Sequence, residues 1–274
     1  MSSLAEYVSI ALHIVLNSVG IFGNGLLFYL VLAKTPTPIK AYAVLLFNFA
    51  LFDFIGCLNA VFIQQRIIPV GTSLTYISSG PCKFFGPLAC YVSYSIMLHC
   101  YSHNLWSLLI SFTYRYLALL SRPPTSVRLA VIILAFYSIS LFQLIAFSTA
   151  MDPPNEMATI IHERFPEYEL AGNTISGNES IFEWRCAFTI LHMTVPVTPV
   201  YIVIIWLRHR TTQLLKGQTM SENTKIIHRQ RLNALTFQAF ITAFLFMAVI
   251  TNVLGQTGIY NHPYLEYSSY LLVG

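Results

Sequence analysis

His99 and His103 stand four residues apart, a spacing that puts both imidazoles on one face of a helix, where they could hold a divalent metal. No carboxylate lies beside them in the chain, so hydrogen bonding between helices is their expected use, and no metal is expected. Asp53 is the one acid set well inside an apolar run, where it could serve an ion or a switch, or simply bond neighbouring helices. Asn24, in Gly23-Asn24-Gly25, shares that candidate switch role with Asp53, since amides at such depth commonly bridge helices. The glycines from Gly20 to Gly25 superficially suggest a phosphate loop. They lie in an apolar helix with no strand before it, so close helix packing is expected instead. Arg115 sits between Tyr114 and Tyr116 and carries a permanent charge. It could meet a partner or reach lipid headgroups.

The elements that position these residues are long and apolar. Only 9% of the 274 residues are charged, against about a quarter in soluble domains. Six runs reach the roughly 20 residues that a helix needs to cross a bilayer: Val8–Ala33, Ala41–Ile63, Pro87–Leu117, Val127–Ala150, Cys186–Leu207 and Ala234–Tyr260. A seventh begins near Tyr267 and is expected to be truncated at Gly274. The expected fold is an all-α integral membrane protein, one bundle of transmembrane helices solvated by the lipid bilayer. The longest segment between runs, about 151–185, has the size at which small folds need extra staples, so a single domain is expected.

Charge sets the expected orientation. Lys34, Lys40, Arg115, Arg122 and Arg128 flank alternate connections, and Arg208, Arg210, Lys216, Lys225, Arg229 and Arg231 fill the one between the fifth and sixth runs. The other connections hold only Arg66, Lys83, Arg164 and Arg185, and the one after the fourth run holds seven acids. Basic residues mark the cytoplasmic side, so the amino terminus is expected outside. The net charge of +4 is then a property of the inner loops and requires no nucleic acid. Residues 1–7 contain Glu6 and no basic residue, so the first run reads as a retained anchor rather than a cleaved signal.

The third run is the most polar. Tyr91, Ser95, His99, Ser102 and Trp106 form one helical stripe, while Cys90, Tyr101, Asn104, Ser111 and Arg115 form another on the far side. Such a helix should be surrounded by protein. With His192 of the fifth run, Tyr91, Ser95, His99 and Ser102 form a candidate ligand pocket. Pro196 and Pro199 predict a break in that fifth run. Cys186 ends the long outer loop and is expected to bond Cys90 or Cys82 at the outer end of span three. Asn178-Glu179-Ser180 is a glycosylation acceptor in the same outer loop.

Several stretches, in order, resemble the nematode serpentine chemoreceptor class delta, within the seven-transmembrane G-protein-coupled receptor-like superfamily. They are Lys34-Thr35-Pro36, Gly80-Pro81-Cys82 with Gly86-Pro87, Met97-Leu98-His99, Trp106-Ser107-Leu108-Leu109 through Tyr114-Arg115-Tyr116, and Thr189-Ile190-Leu191-His192-Met193-Thr194 with Pro196 and Pro199. The resemblance implies chemosensation at the plasma membrane or a sensory cilium. A small external molecule would bind among the outer halves of the spans. Tyr114, Arg115, Tyr116, Arg208 and Arg210 would then face a heterotrimeric G protein. It implies no enzyme and no cofactor. Tyr114 stands where the best-known receptors place an acid, so an intrahelical carboxylate clamp on Arg115 is missing. A secondary transporter would call for repeated halves and several buried charges. The chain has no repeat and one buried acid. A channel of the insect chemosensory type would place the amino terminus inside. A truncated, non-signalling receptor is the remaining alternative.

Overall fold

The computed structural model describes residues 3–35, 40–166, 172–218 and 221–256. The expected seventh run from Tyr267 lies outside the described residues. Eight α-helices, α1 (Ser3–Lys34), α2 (Lys40–Ile63), α3 (Pro87–Leu119), α4 (Ser126–Ser148), α5 (Pro154–Arg164), α6 (Trp184–Thr194), α7 (Val197–Gly217) and α8 (Glu222–Gln256), make the described chain mostly helical. Among the described residues, four stretches are long and apolar enough to cross a membrane: Ile10–Lys34, Ala41–Ile63, Ser126–Ser148 and Trp184–Gly217. Leucine, valine and phenylalanine cover their outer faces, with Val19, Phe22, Val131, Leu134 and Ile205 all well exposed. Apolar surface so continuous suits lipid and not water.

The third and sixth runs of the sequence are helices α3 and α8, but neither is among the four apolar stretches. For α3 the reason is its polar load. Ser95, His99, Ser102, His103, Asn104, Ser107 and Ser111 are all buried. Leu105, Leu108 and Phe112 of α3 pack with Val200, Ile204 and Leu207 of α7 and Leu232, Leu235 and Ala239 of α8. Leu45 of α2 and Leu129 of α4 close on Ile110 from another side. Protein thus surrounds this helix, and its polar groups find partners there instead of lipid.

The fifth run breaks where its prolines stand. α6 ends at Thr194 and α7 starts at Val197. Pro196 and Pro199 carry no N–H, so the carbonyls of His192 and Val195 lose their helical donors. Beyond the spans the helices run on. The segment 208–233, expected as a loop, is α7 to Gly217 and α8 from Glu222. Its straight-chain Arg, Lys, Gln and Leu residues favour helix, and ten residues past Leu207 extend α7 by about 15 Å. The basic residues therefore ride on helical arms.

The all-α expectation is corrected at the opposite end. β1 (Gln65–Val70), β2 (Ser73–Ser78) and β3 (Thr174–Asn178) form an antiparallel sheet in the order β1-β2-β3. Val70 pairs with Ser73 across a two-residue turn, and Gly71 supplies the positive φ of 58° that a type II′ hairpin turn requires. Pro69 is tolerated because β1 is an edge strand. Side chains alternate across the sheet. Leu74 and Tyr76 face Tyr91, Tyr94 and Phe147 of the bundle. Ile68 and Ile77 face Ile161 of α5. The loops after spans two and four thus share one small core that neither could bury alone. At Gly177 a Cβ would meet Met157 Sδ at 2.9 Å and Thr75 Cα at 3.2 Å, so glycine lets α5 and β2 close on β3.

Candidate functional site

The expected pocket stripe on α3 divides into two parts with different uses. Its upper part is structural. The Tyr91 hydroxyl lies 2.9 Å from Asn178 Nδ2, and the Ser95 hydroxyl donates to the Tyr91 carbonyl of its own helix at 2.9 Å. Tyr91 and Ser95 therefore have their polar groups engaged. The lower part reaches across three helices. Gln143 Oε1 of α4 lies 2.7 Å from the Ser102 hydroxyl of α3 and 2.6 Å from His192 Nδ1 of α6. Phe188 stacks on the His192 ring at 5.8 Å between centroids and holds its plane. Gln143 Nε2, His192 Nε2 and His99 Nδ1 are buried and have no hydrogen-bond partner among the described residues. Buried polar atoms normally find partners, so this is where unspent recognition capacity collects.

His99 and His103 share a nest of rings with Phe52 of α2 and Tyr137 of α4, with centroids 4.3–5.8 Å apart across those helices. His103 Nε2 lies 3.1 Å from Asn48 Oδ1, and Asn48 Nδ2 donates to the Ser107 hydroxyl at 2.7 Å. The pair is thus built into contacts between helices. No group of three or more His, Cys, Asp or Glu side chains converges as a metal site among the described residues.

The candidate switch pair, Asn24 and Asp53, is not brought together. Asn24 Nδ2 donates to Gly20 O in its own helix at 3.0 Å. Asp53 instead accepts from Asn104 of α3 at 2.5 Å. The expected close packing of α1 on α2 is seen at Gly20, where a Cβ would lie 2.6 Å from Cys57 Sγ, but Gly23 meets nothing within 4 Å, and the rings of Phe28 and Phe47 also join the two helices.

Two expectations at the sheet end are corrected. Cys82 bonds Cys90, while Cys186 is a buried free thiol in the same cluster. The short 3₁₀ helix Pro81–Phe85 and the reversal at Gly86 (φ 93°) fold Cys82 back over the first turn of α3, bringing the two Cα atoms to 5.1 Å. Asn178 is not a free acceptor for glycan. It is 2% exposed, and its Nδ2 donates to the Ala150 carbonyl at 2.7 Å. The Tyr76 hydroxyl donates to its Oδ1 at 3.2 Å. A glycan on Nδ2 would have to break this latch. Treatment with an N-glycosidase is therefore expected to leave the gel mobility of the protein unchanged; a downward shift would refute the burial. Nearby, Glu183 caps α6, accepting from the backbone N–H of Arg185 and Cys186. Burial, the largest single cause, pushes its carboxyl up, but the Arg185 side chain and those two N–H groups together outweigh this and hold it below the usual range.

At the basic end Arg115 donates from Nη2 to the Tyr42 hydroxyl of α2, and its guanidinium lies 4.5 Å from the Tyr42 ring centroid. Tyr114 stacks on the same tyrosine at 5.9 Å. Tyr116 packs on Trp206 of α7 at 5.9 Å, and Arg210 lies over that indole at 5.8 Å. Tyr116 and Arg210 help line a cleft of about 320 Å³ with Gln213, Leu214, Gly217 and Gln218. Arg208 is exposed alongside. Sequence reasoning missed two residues, Gln143 and Tyr42. Gln143 carried a signal, being a lone amide in the apolar run Val127–Ala150. Tyr42 carried none, because its partner is 73 residues away.

Comparison with known proteins agrees with this architecture. The family model described as serpentine type 7TM GPCR chemoreceptor Srd matches residues 9–273. The chain is similar to serpentine receptor class delta-19 of Caenorhabditis elegans, 39% identical over 255 residues that cover 91% of this chain and 75% of that relative. Class delta-18 of the same organism is 39% identical over 257 residues, covering 92% and 76%. Class delta-1 is 34% identical over 262 residues, covering 93% and 71%. With its apolar helices, this makes it a multi-pass membrane protein of a receptor family. The chain belongs to the serpentine type 7TM GPCR chemoreceptor Srd family.

Proposed function

We propose that this protein is a chemosensory receptor of the plasma membrane that binds a small external molecule at Ser102, Gln143 and His192, with His99 at its edge, and activates a heterotrimeric G protein. One observation carries the reading. Three helices meet in a hydrogen-bonded chain whose outward atoms are buried and unpartnered, one turn from the Pro196 break in the fifth span. A ligand that satisfies those atoms in one arrangement of α6 and α7 more fully than in another shifts the equilibrium between them. α7 runs without interruption from the break to Arg210 and the cleft at the basic end. Movement of α6 at the ligand therefore passes through the break at Pro196 and reaches the coupling surface as a swing of α7, itself a rigid rod.

The amino terminus lies outside in this reading, and the basic arms lie in the cytoplasm, because cations are retained on that side. A tag fused to the amino terminus is expected to be stained on intact cells. Staining only after permeabilisation would reverse the topology. The site itself is tested by screening small compounds on cells expressing the full chain. Activators found this way are expected to lose at least about tenfold in potency in His192→Phe, the factor that one hydrogen bond of 1.4 kcal/mol commands. Unchanged potency for every activator would place the ligand elsewhere.

A further inference from the structure

Resting on that assignment of the ligand site, we infer that it selects molecules with a neutral head group that both donates and accepts a hydrogen bond, such as an alcohol or a primary amide. Two proton arrangements satisfy the observed contacts. In one, Ser102 and His192 Nδ1–H both donate to Gln143 Oε1, at 2.7 and 2.6 Å. Among the described residues no carboxylate pairs with His192, and an unpaired imidazolium inside the bundle is costly, so the ring is neutral. Its Nε2 is then a bare acceptor, while the Gln143 amide N–H groups are free donors.

In the other arrangement the Gln143 amide is turned over. Ser102 donates to the Leu98 carbonyl at 2.9 Å, a contact the structure also contains. The Gln143 amide nitrogen then donates to Ser102 Oγ and to His192 Nδ1. That moves the imidazole proton to Nε2, which becomes a donor, and leaves the Gln143 carbonyl oxygen as the free acceptor. Both arrangements end the same way: of the unpartnered atoms on Gln143 and His192, one is a donor and the other an acceptor. Gln143 is 1% exposed, so bulk water does not blunt this preference. A ketone or an ether can meet the donor only, and leaves the acceptor buried and unpaired.

The test uses the detergent-solubilised full chain and four probes of similar size: 1-hexanol, hexanamide, 2-hexanone and methyl pentyl ether. Apparent affinities come from the concentration dependence of thermal stabilisation. The two protic probes are expected to bind at least about tenfold more tightly than the ketone and ether. Gln143→Met and His192→Phe are expected to erase that ratio. If all four probes bind equally to wild type and all weaken in the variants, the site stands and the ligand class is wrong. If the ratio survives in both variants, the site assignment falls with it. Failure of both protic probes to stabilise wild type, or equal binding of all four to it, also overturns the inference, and neither of these wild-type results depends on how well the variants fold.

Discussion

Asn178→Ala is expected to remove most of the protein from the cell surface. The substitution strips partners from three buried groups at once: the Tyr76 hydroxyl, the Tyr91 hydroxyl and the Ala150 carbonyl. Each buried polar group left unpaired costs about 1–3 kcal/mol, so a loss on the order of 4 kcal/mol follows. That is a large share of the 5–15 kcal/mol that typically separates folded from unfolded states. The damage is concentrated at a junction. Tyr76 belongs to β2, Tyr91 to α3, Ala150 follows α4 and Asn178 ends β3. One amide therefore ties the sheet to the helix at the centre of the bundle. Ser180→Ala is the control, because it abolishes the glycosylation triplet while leaving the latch intact. Its surface expression is expected to match wild type. Equal loss in both variants would mean that a glycan supports the protein and that the latch is not the cause.

Arg115→Ala is expected to reduce G-protein activation by about tenfold or more while surface expression stays within about twofold of wild type. The guanidinium is held by a tyrosine hydroxyl and not by a carboxylate. A hydrogen bond from a charged group to Tyr42 is worth about 1.5–3 kcal/mol, less than the 3–5 kcal/mol lost when a buried ion pair is broken. Among the described residues no carboxylate pairs with Arg115, and its Nε is buried without a partner. Cations gather across the mouth instead. Burial, with Arg231 and Arg115 nearby, holds the His228 imidazole below its ordinary pKa. If this mouth is the coupling surface, its like charges would favour an acidic segment of a partner, and among the described residues no ion pair to Arg115 would have to break first. Tyr42→Phe keeps the stacked ring but removes the acceptor, and is expected to raise basal activity two- to threefold. A G-protein activation assay in membranes from cells expressing each variant decides the matter. Undiminished activation by Arg115→Ala would leave this residue as a lipid anchor.

The features legible in the chain are those that depend on local composition. A predominantly apolar run of 23 residues from Ala41 to Ile63 can be little else in lipid, and α2 occupies it. The polar stripes of α3 announced a helix enclosed by protein, and Pro196 announced the break after Thr194. The hairpin is also legible: β-branched residues lie on both sides of Gly71-Thr72, a two-residue turn signal much weaker than the helical runs around it.

Pairings over long distances were not legible. Cys186 could be expected to bond Cys90 or Cys82, yet the turn at Gly86 joins those two to each other. The triplet Asn178-Glu179-Ser180 reads as a surface signal until β3 turns its amide inward onto Tyr91. Asp53 finds Asn104 and not Asn24; Arg115 finds Tyr42. The sequence by itself determined which segments become helices in lipid and which ends carry the cations, because hydrophobicity and charge act residue by residue. Only the tertiary structure decided which polar groups meet, because a hydrogen bond is made within about 3 Å and the partners that join different elements here lie 28 to 102 residues apart.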